Sequence, residues 1–325
     1  MDEQTKKLIQ LINLDKSFNE ICNILGITNR QLHYELLRLK QEGFNYDKKY
    51  YSDGSIIYQL NCNKNNCNTI LTKNNSLSCI VISDLHLGNS NQRIDLINKV
   101  FDYCSKKNIH IIFCCGDIID GDFSQSKQII EDVNKQIEYF INCYPYDPNI
   151  LTFAVAGNHD YRSKLLLNDD IINQVENYRH DVIIGGYGNS YINIKNDRLL
   201  LFHKIKGIDF NLNSSSVVLK GHHHCYTAFL QTNNILYIKV PSLSSLSNLI
   251  PSFLELNINF RNELIEWVNI KQFYFSNRIR KLNEDEFILS QDSKKDSSIS
   301  SQPSNDKILI KRISQIEKFA KKFNI

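Results

Sequence analysis

The sequence predicts an α/β fold that is preceded by a small α+β domain. Three short apolar runs, at residues 80–82, 109–115 and 150–156, each lead directly into polar residues, and segments with helical periodicity lie between them. Buried strands that alternate with helices form βαβ units with a parallel sheet. Polar residues that follow such strands meet at the carboxyl edge of the sheet, where open α/β folds bind their ligands.

Composition indicates the broad class of protein. The chain of 325 residues is longer than most single domains, and 42% of it is hydrophobic, so we expect one large core with smaller additions. A net charge of +3 is too small to indicate a nucleic-acid or membrane partner by itself. We expect no signal peptide, because the first residues lack its apolar segment. We also expect no membrane span, because no run approaches the ~20 apolar residues of a membrane helix. The nine irregularly spaced cysteines favour the reducing cytoplasm.

Residues 1–60 resemble a winged helix-turn-helix domain. Two helical segments precede a capping box at Thr28–Gln31, which opens a third helix, and an Asp-Gly turn within residues 50–60 predicts a β-hairpin as the wing. DNA or RNA is the expected partner of this segment, and DNA binding would place the third helix in the major groove. Residues 1–43 carry six basic and six acidic side chains, so a protein-docking or structural role stays open. The candidate nucleic-acid contacts are Asn29, Arg30, Gln31, His33 and Arg38.

Composition also divides the rest of the chain. Residues 61–77, rich in Asn, Lys and Ser, are expected to link the first domain to a main domain at residues 78–278. Residues 279–306 have the composition of a disordered linker. Residues 307–325 are expected to form a basic amphipathic helix, with six Lys or Arg against one Glu. Nucleic acid, an acidic partner, a membrane surface or the main domain itself would each suit such a helix.

Side chains that bind metals follow five of the predicted strands. Carboxylate, amide and imidazole groups at one edge of a sheet are suited to a metal ion. Glycines precede both Asp117 and Asn158 and allow the backbone to turn sharply where a ligand approaches. In chain order the motifs are Asp84-x-His86, Gly116-Asp117, Gly157-Asn158-His159-Asp160, His203 and Gly221-His222-x-His224.

These five motifs, in this order, resemble those of the calcineurin-like metallophosphoesterases over roughly residues 78–245. The resemblance implies a four-layer α/β/β/α sandwich that holds two divalent metal ions. It implies that one ion is bound by Asp84, His86, Asp117 and His224. The second ion would be bound by Asp117, Asn158, His203 and His222, with Asp117 as the bridging carboxylate.

The resemblance also implies an activity, the hydrolysis of a phosphate ester. Two metal ions about 3.5–4 Å apart would share a hydroxide that attacks the phosphorus. We expect a phosphodiester substrate, in nucleic acid or nucleotides, with His159 as transition-state stabiliser or general acid and Asp160 orienting it. Mixed Asp, Asn and His ligands suit Mn, Fe, Zn or Ni, and Mn is favoured.

A phosphomonoesterase or protein phosphatase is one alternative function, and a DNA-binding regulator with a ligand-sensing metal domain is another. Asp120 stands where the repair-nuclease branch of the family has a histidine. The oligomeric state is not predicted.

Overall fold

A computed structural model shows the architecture of the chain. All of the described residues belong to one compact unit. The helix expected at residues 307–325 lies outside the described residues, as does most of the expected disordered linker. The structure describes residues 3–60, 68–122, 127–168, 170–207, 215–246, 249–276 and 278–289.

The described residues form seven helices and fifteen strands, and none of these helices is long and apolar enough to cross a membrane. The helices are α1 (Glu3–Asn13), α2 (Phe18–Leu25), α3 (Asn29–Gln41), α4 (Ile94–Lys107), α5 (Val133–Cys143), α6 (Tyr161–Leu166) and α7 (Ile171–Tyr178). The strands are β1 (Tyr46–Tyr51), β2 (Ile56–Leu60), β3 (Asn68–Leu71), β4 (Ser76–Ile82), β5 (Ile111–Cys114), β6 (Leu151–Ala156), β7 (Val182–Tyr187), β8 (Asn189–Ile194), β9 (Asp197–Phe202), β10 (Val217–Lys220), β11 (Thr227–Leu230), β12 (Leu236–Lys239), β13 (Ser252–Arg261), β14 (Leu264–Phe275) and β15 (Ile279–Ile288).

The strands form two sheets. The seven-stranded sheet has the order β15-β14-β13-β4-β5-β6-β7, and β4 to β7 are parallel strands separated in the chain by helices, as the sequence predicts. The eight-stranded sheet has the order β11-β12-β10-β9-β8-β3-β1-β2. Parallel neighbours place the ends of β4, β5 and β6 at one edge of the first sheet.

The two sheets pack face to face. Val81 and Phe113 of the first sheet and Leu201 and Leu219 of the second are fully buried members of one apolar cluster. A second buried cluster joins the other face of the first sheet to α4 and α5, for example through Ile97. The α/β sandwich expected from the sequence is confirmed.

Local signals in the first sixty residues explain its elements. Ser17 and Glu20 form a capping box at α2, and Thr28 and Gln31 form one at α3. Gly26 ends α2 in the left-handed conformation, with φ of 65°. Strands β1 and β2 pair as an antiparallel hairpin, as predicted.

Two strands lie in segments that the sequence analysis assigned to linkers. Strand β3 lies within residues 61–77 and pairs in parallel with β1 and β8, so the N-terminal hairpin is part of the eight-stranded sheet. Strand β15 pairs with β14 along the edge of the other sheet, within residues 279–306. Strand β15 is an edge strand, much of it is solvent-accessible, and charged side chains are common at such edges. Strand β3 is an interior strand, but of its four residues only Ile70 is fully buried.

The N-terminal helices are packed against the main domain. Phe18 of α2 stacks on the ring of His180, with centroids 4.0 Å apart. His33 of α3 is buried, and its Nε2–H donates to the carbonyl oxygen of Asn177 at 3.0 Å. Gly54, in the β1–β2 turn, lies so close to the backbone of Asn149 that a Cβ atom at this position would overlap it. This segment and the main domain therefore share one continuous core.

The pH dependence of stability tests the burial of His180. Burial, aided by the positive charges of Lys48 and Arg179, lowers the pKa of His180 to about 4, whereas an unfolded histidine has a pKa of about 6.5. The folded state then binds fewer protons than the unfolded state, so this contribution is complete above about pH 6.5 and is lost as the pH falls towards 4. Urea unfolding of chelator-treated protein should lose about 2 kcal/mol from this group between about pH 7.5 and pH 5.

The variant His180→Phe keeps an aromatic ring against Phe18 but cannot take up a proton. The loss of about 2 kcal/mol that His180 causes in the wild type between about pH 7.5 and pH 5 should therefore be absent from the variant. Equal pH dependence of the two proteins would contradict this role for His180.

Candidate metal centre

All five sequence motifs meet at one edge of the sandwich. Strands β4, β5 and β6 of the first sheet end directly before the motifs that begin at Asp84, Gly116 and Gly157. Strands β9 and β10 of the second sheet end before His203 and Gly221 and run parallel to each other. Side chains from both sheets therefore converge on one site, which the sequence analysis could only infer from the order of the motifs.

The backbone at this site is strained. Five candidate ligands have left-handed backbone conformations, a region that residues other than glycine rarely occupy. Each such residue costs on the order of 1–3 kcal/mol, and such strain is typical of functional sites. Hydrogen bonds fix the conformation, for example from Asp84 N–H to the Gly116 carbonyl at 2.9 Å. The φ angles are 55° for Asp84, 47° for His86, 52° for Asp117, 77° for His222 and 57° for His224.

Close packing requires the motif glycines that follow β5 and β6. Gly116 has a φ of 94°, and a Cβ atom there would lie 2.5 Å from Nδ1 of His203. A Cβ atom on Gly157 would overlap the carboxylate of Asp117. The glycines therefore admit side chains of the metal centre into the space that a side chain of their own would fill.

The first group of ligands comprises Asp84, His86 and His224. Nε2 of His224 is 3.2 Å from Oδ1 of Asp84. Nε2 of His86 is buried without a hydrogen-bond partner among the described residues, and it lies 4.0 Å from Oδ1 of Asp84 and 3.8 Å from Oδ2 of Asp117. The two distances from His86 are too long for hydrogen bonds. They suit atoms that bind a common cation, so the residues of this group fit a metal ion.

The second group comprises Asp117, His203 and His222, with Asn158 beside them. Oδ2 of Asp117 is 3.0 Å from Nε2 of His203. Oδ1 of Asn158 is 3.1 Å from the same nitrogen and 2.9 Å from Nδ1 of His222. Oδ2 of Asp117 therefore lies between the imidazoles of the two groups, which is the position of a bridging ligand.

Charge at the site favours bound cations. Burial opposes ionisation of Asp117, yet His203 and His86 hold its pKa well below the usual range. Burial likewise opposes protonation of His203, but the carboxylate of Asp117 raises its pKa to about 9. Protons and metal ions thus compete for the same side chains, since both neutralise the same carboxylates.

Further residues hold the ligands in place. Nδ1–H of His203 donates to the Cys115 carbonyl at 2.6 Å, which directs Nε2 towards Asp117. Oδ1 of Asp120 lies 3.4 Å from Nδ1 of His86, and its Oδ2 accepts from Asn89 at 3.2 Å. The sequence analysis gave Asp120 no role, although it follows Asp117 by three residues in the same turn. It has the position of a carboxylate that orients a metal-binding histidine.

His159 lies at the border of the site. Its backbone N–H donates to Oδ1 of Asp117 at 2.9 Å, and its Nδ1–H donates to the carbonyl oxygen of Asp120 at 2.6 Å. The ring stands edge-on to that of His86, with centroids 4.5 Å apart. Asp120, and not Asp160, therefore fixes the orientation of the His159 ring.

Asp160 has a different environment from the one the sequence suggested. Its carboxylate is fully buried and accepts from the backbone N–H groups of Ile118, Ile119 and Gly157 at 3.1, 2.9 and 2.7 Å. Burial and the negative charge of Asp117 raise its pKa to about 6, against the effect of these donors. Asp160 thus ties the loop after β5 to the loop after β6, because its side chain bonds to both.

The candidate nucleic-acid contacts on α3 are mostly engaged within the chain. Nδ2 of Asn29 donates to the hydroxyl of Tyr146. His33 is buried, so it is not available to a base edge. The side chain of Gln31 belongs to the capping box, and Arg30 is exposed. Arg38 donates to Thr5 at 2.6 Å and pairs with Glu35 at 2.8 Å and with Glu42 at 3.6 Å.

Solved structures with similar chains were found by comparison. Chaetomium thermophilum Vps29 is 11% identical, covers 66% of this chain and 97% of its own, and gives a TM-score of 0.41. The Escherichia coli phosphoesterase Yfce is 15% identical, with coverage of 66% and 100% and a TM-score of 0.41. A dimetal phosphatase from Danio rerio is 9% identical, with coverage of 66% and 99% and a TM-score of 0.42.

Sequence comparisons address the family. No curated protein gives a significant match. The family model described as calcineurin-like phosphoesterase matches residues 77–297, which include all five motifs and more than half of the chain. The chain therefore belongs to the calcineurin-like phosphoesterase family and is a metal-dependent phosphoric ester hydrolase.

Proposed function

We propose that the chain hydrolyses phosphodiester bonds in nucleic acid or nucleotides with two divalent cations, preferably Mn. The observation that carries the proposal is the position of Asp117, whose Oδ2 lies 3.8 Å from Nε2 of His86 and 3.0 Å from Nε2 of His203. One carboxylate thus connects two ligand groups. When bound, two such ions supply a water molecule of lowered pKa and neutralise charge on the phosphoryl oxygens.

In the proposed reaction, His159 supplies the proton that the leaving oxygen needs. Its Nδ1–H is held by the Asp120 carbonyl, so the transferable proton is carried on Nε2. Burial lowers the pKa of His159 in the protein alone, although Asp117 opposes this effect. The negative charge of a bound phosphate favours the imidazolium form, so protonation accompanies substrate binding.

For the N-terminal segment, we propose a structural or docking role in preference to direct reading of base sequence. Its order of three helices and a hairpin is that of a winged-helix domain. The burial of His33 and the bond from Asn29 to Tyr146 support the structural role, because a recognition helix needs these positions exposed. The pairing of β3 with β8 supports it further.

Removal of the bridging carboxylate tests the metal-dependent reaction. Asp117→Asn should lower kcat/KM for bis-p-nitrophenyl phosphate, measured with Mn²⁺, by at least about a hundredfold, because the carboxylate that connects the two ligand groups loses its negative charge. Bound metal should fall in parallel when measured by elemental analysis after gel filtration. His110→Ala is the control, since this histidine bonds to the Asn149 carbonyl at the opposite end of β5.

The choice of substrate distinguishes the proposal from its alternatives. The wild type should hydrolyse bis-p-nitrophenyl phosphate at least about tenfold faster than p-nitrophenyl phosphate in terms of kcat/KM. A preference for the monoester would favour a phosphatase. Full metal loading without hydrolysis of either ester would favour a regulator.

Leaving-group dependence tests the role of His159. His159→Ala should reduce cleavage of a thymidine dinucleotide by about a hundredfold, because its alkoxide leaving group needs a proton. Cleavage of bis-p-nitrophenyl phosphate, whose phenolate leaves without one, should fall by less than about tenfold. Equal losses for the two substrates would argue against proton transfer.

Metal affinity tests the role of Asp120. Asp120→Asn keeps the shape of the side chain but removes the charge beside Nδ1 of His86, so the Mn²⁺ concentration for half-maximal activity should rise about 10–100-fold. Asp122→Asn, which neutralises an exposed carboxylate two residues later, is the matched control. If both variants need the same Mn²⁺ concentration as the wild type, Asp120 does not support the metal site.

A further inference from the structure

Three lysines lie at or just after the ends of three neighbouring strands of the eight-stranded sheet, close in the chain to candidate metal ligands. Lys220 of β10 is the register partner of Lys239 in β12. Lys204 follows His203 directly at the end of β9, the other neighbour of β10. The imidazole of His223 lies within their electrostatic influence. We call Lys204, Lys220 and Lys239 the lysine row.

The row places like charges close together. Neighbouring strands are about 4.8 Å apart, and like charges on directly opposed residues are destabilising. In the described part of the chain, no carboxylate forms a salt bridge with these three lysines. An anionic ligand would relieve this repulsion.

Aromatic side chains share this face of the sheet. Nζ of Lys220 lies 5.3 Å from the ring centroid of Phe202 and 5.8 Å from that of Tyr237, so the two rings support its position. Phe229 stacks on Tyr237 with centroids 5.2 Å apart and an angle of 27°. With 38% of its surface exposed, Phe229 also offers a ring to a partner. Lysines interleaved with aromatic rings are typical of surfaces that bind single-stranded nucleic acid.

The lysine row is adjacent to the metal centre in the chain and in space. Lys204 follows the candidate ligand His203, and Lys220 precedes His222 by two residues. The ring of His223 is 5.5 Å from that of His222, between their centroids. The row therefore lies at the same strand ends as the candidate ligands His203 and His222.

We propose that the lysine row binds the backbone phosphates next to the scissile phosphate in a single-stranded nucleic acid. The proposal rests on the proposed phosphodiesterase function and adds the class of substrate to it. Lysine contacts to phosphates strengthen binding without selecting a base sequence. A substrate with a single phosphate cannot reach the row, so the two kinds of substrate depend on it differently.

The experiment compares a thymidine oligonucleotide of about twelve nucleotides with bis-p-nitrophenyl phosphate, both with Mn²⁺. In Lys220→Gln/Lys239→Gln, the ratio of kcat/KM for the oligonucleotide to that for the small ester should fall about tenfold or more. The slope of log kcat/KM against log salt concentration should become shallower by about 1.4 for the oligonucleotide, since two phosphate contacts are lost. Lys99→Gln/Lys106→Gln, which removes two exposed lysines of α4, is the control of equal charge.

An unchanged ratio, or the same decrease in the α4 control, would overturn the proposal.

A binding measurement separates this failure from failure of the proposed function. In chelator, the Kd of a fluorescein-labelled oligonucleotide, measured by anisotropy, should rise about tenfold in the row variant and stay unchanged in the control. If the wild type cleaves neither substrate but shows this change, the catalytic proposal fails and the binding surface stands. If tripolyphosphate displaces the labelled strand as well as unlabelled oligonucleotide does, the row is a general anion site and the nucleic-acid assignment is wrong.

Discussion

The metal centre depends on a close approach between the edges of two different sheets. A Cβ atom on Gly221, after β10, would overlap the Cys115 carbonyl and the Ser83 hydroxyl of the first sheet. Without that glycine, the chain that carries His222 and His224 could not come close enough to Asp84, and His222 N–H is in fact 3.2 Å from both Asp84 carboxylate oxygens. Because the two ligand groups draw side chains from both sheets, the packing of the sandwich and the assembly of the site are one event.

Within this arrangement, two neighbouring carboxylates have opposite tasks. Asp160 is neutralised in part by three backbone N–H groups and holds the loops after β5 and β6 together. Asp117 faces the histidines, and apart from the backbone N–H of His159 its charge is balanced by imidazoles, which bind protons or metals. The difference arises from the direction of each side chain at the strand end. It explains how one edge of a sheet can hold both a rigid support and a site with unbalanced negative charge.

Other described segments leave this edge of the sandwich open. The N-terminal segment packs at the start of β7, where Phe18 stacks on His180, away from the carboxyl ends of the strands. This placement leaves the approach to the metal centre to the loops and to the strand ends of the second sheet. There Lys220 and Lys239 present positive charge beside ligands that bind cations. Such a surface favours a negatively charged substrate, because phosphate groups can bind both the lysines and the cations of the metal centre.

The sequence by itself determined the features that depend on near neighbours. It predicted the alternating strands and helices, the capping box at Thr28 and the five motifs. Periodicity, helix caps and the residues that follow a strand are all local signals. Tertiary structure alone decided which groups share a contact. Asp120 took the role expected of Asp160, and His33 became buried, because these outcomes depend on packing between segments far apart in the chain. Lys220 and Lys239 likewise meet only through the register of β10 and β12.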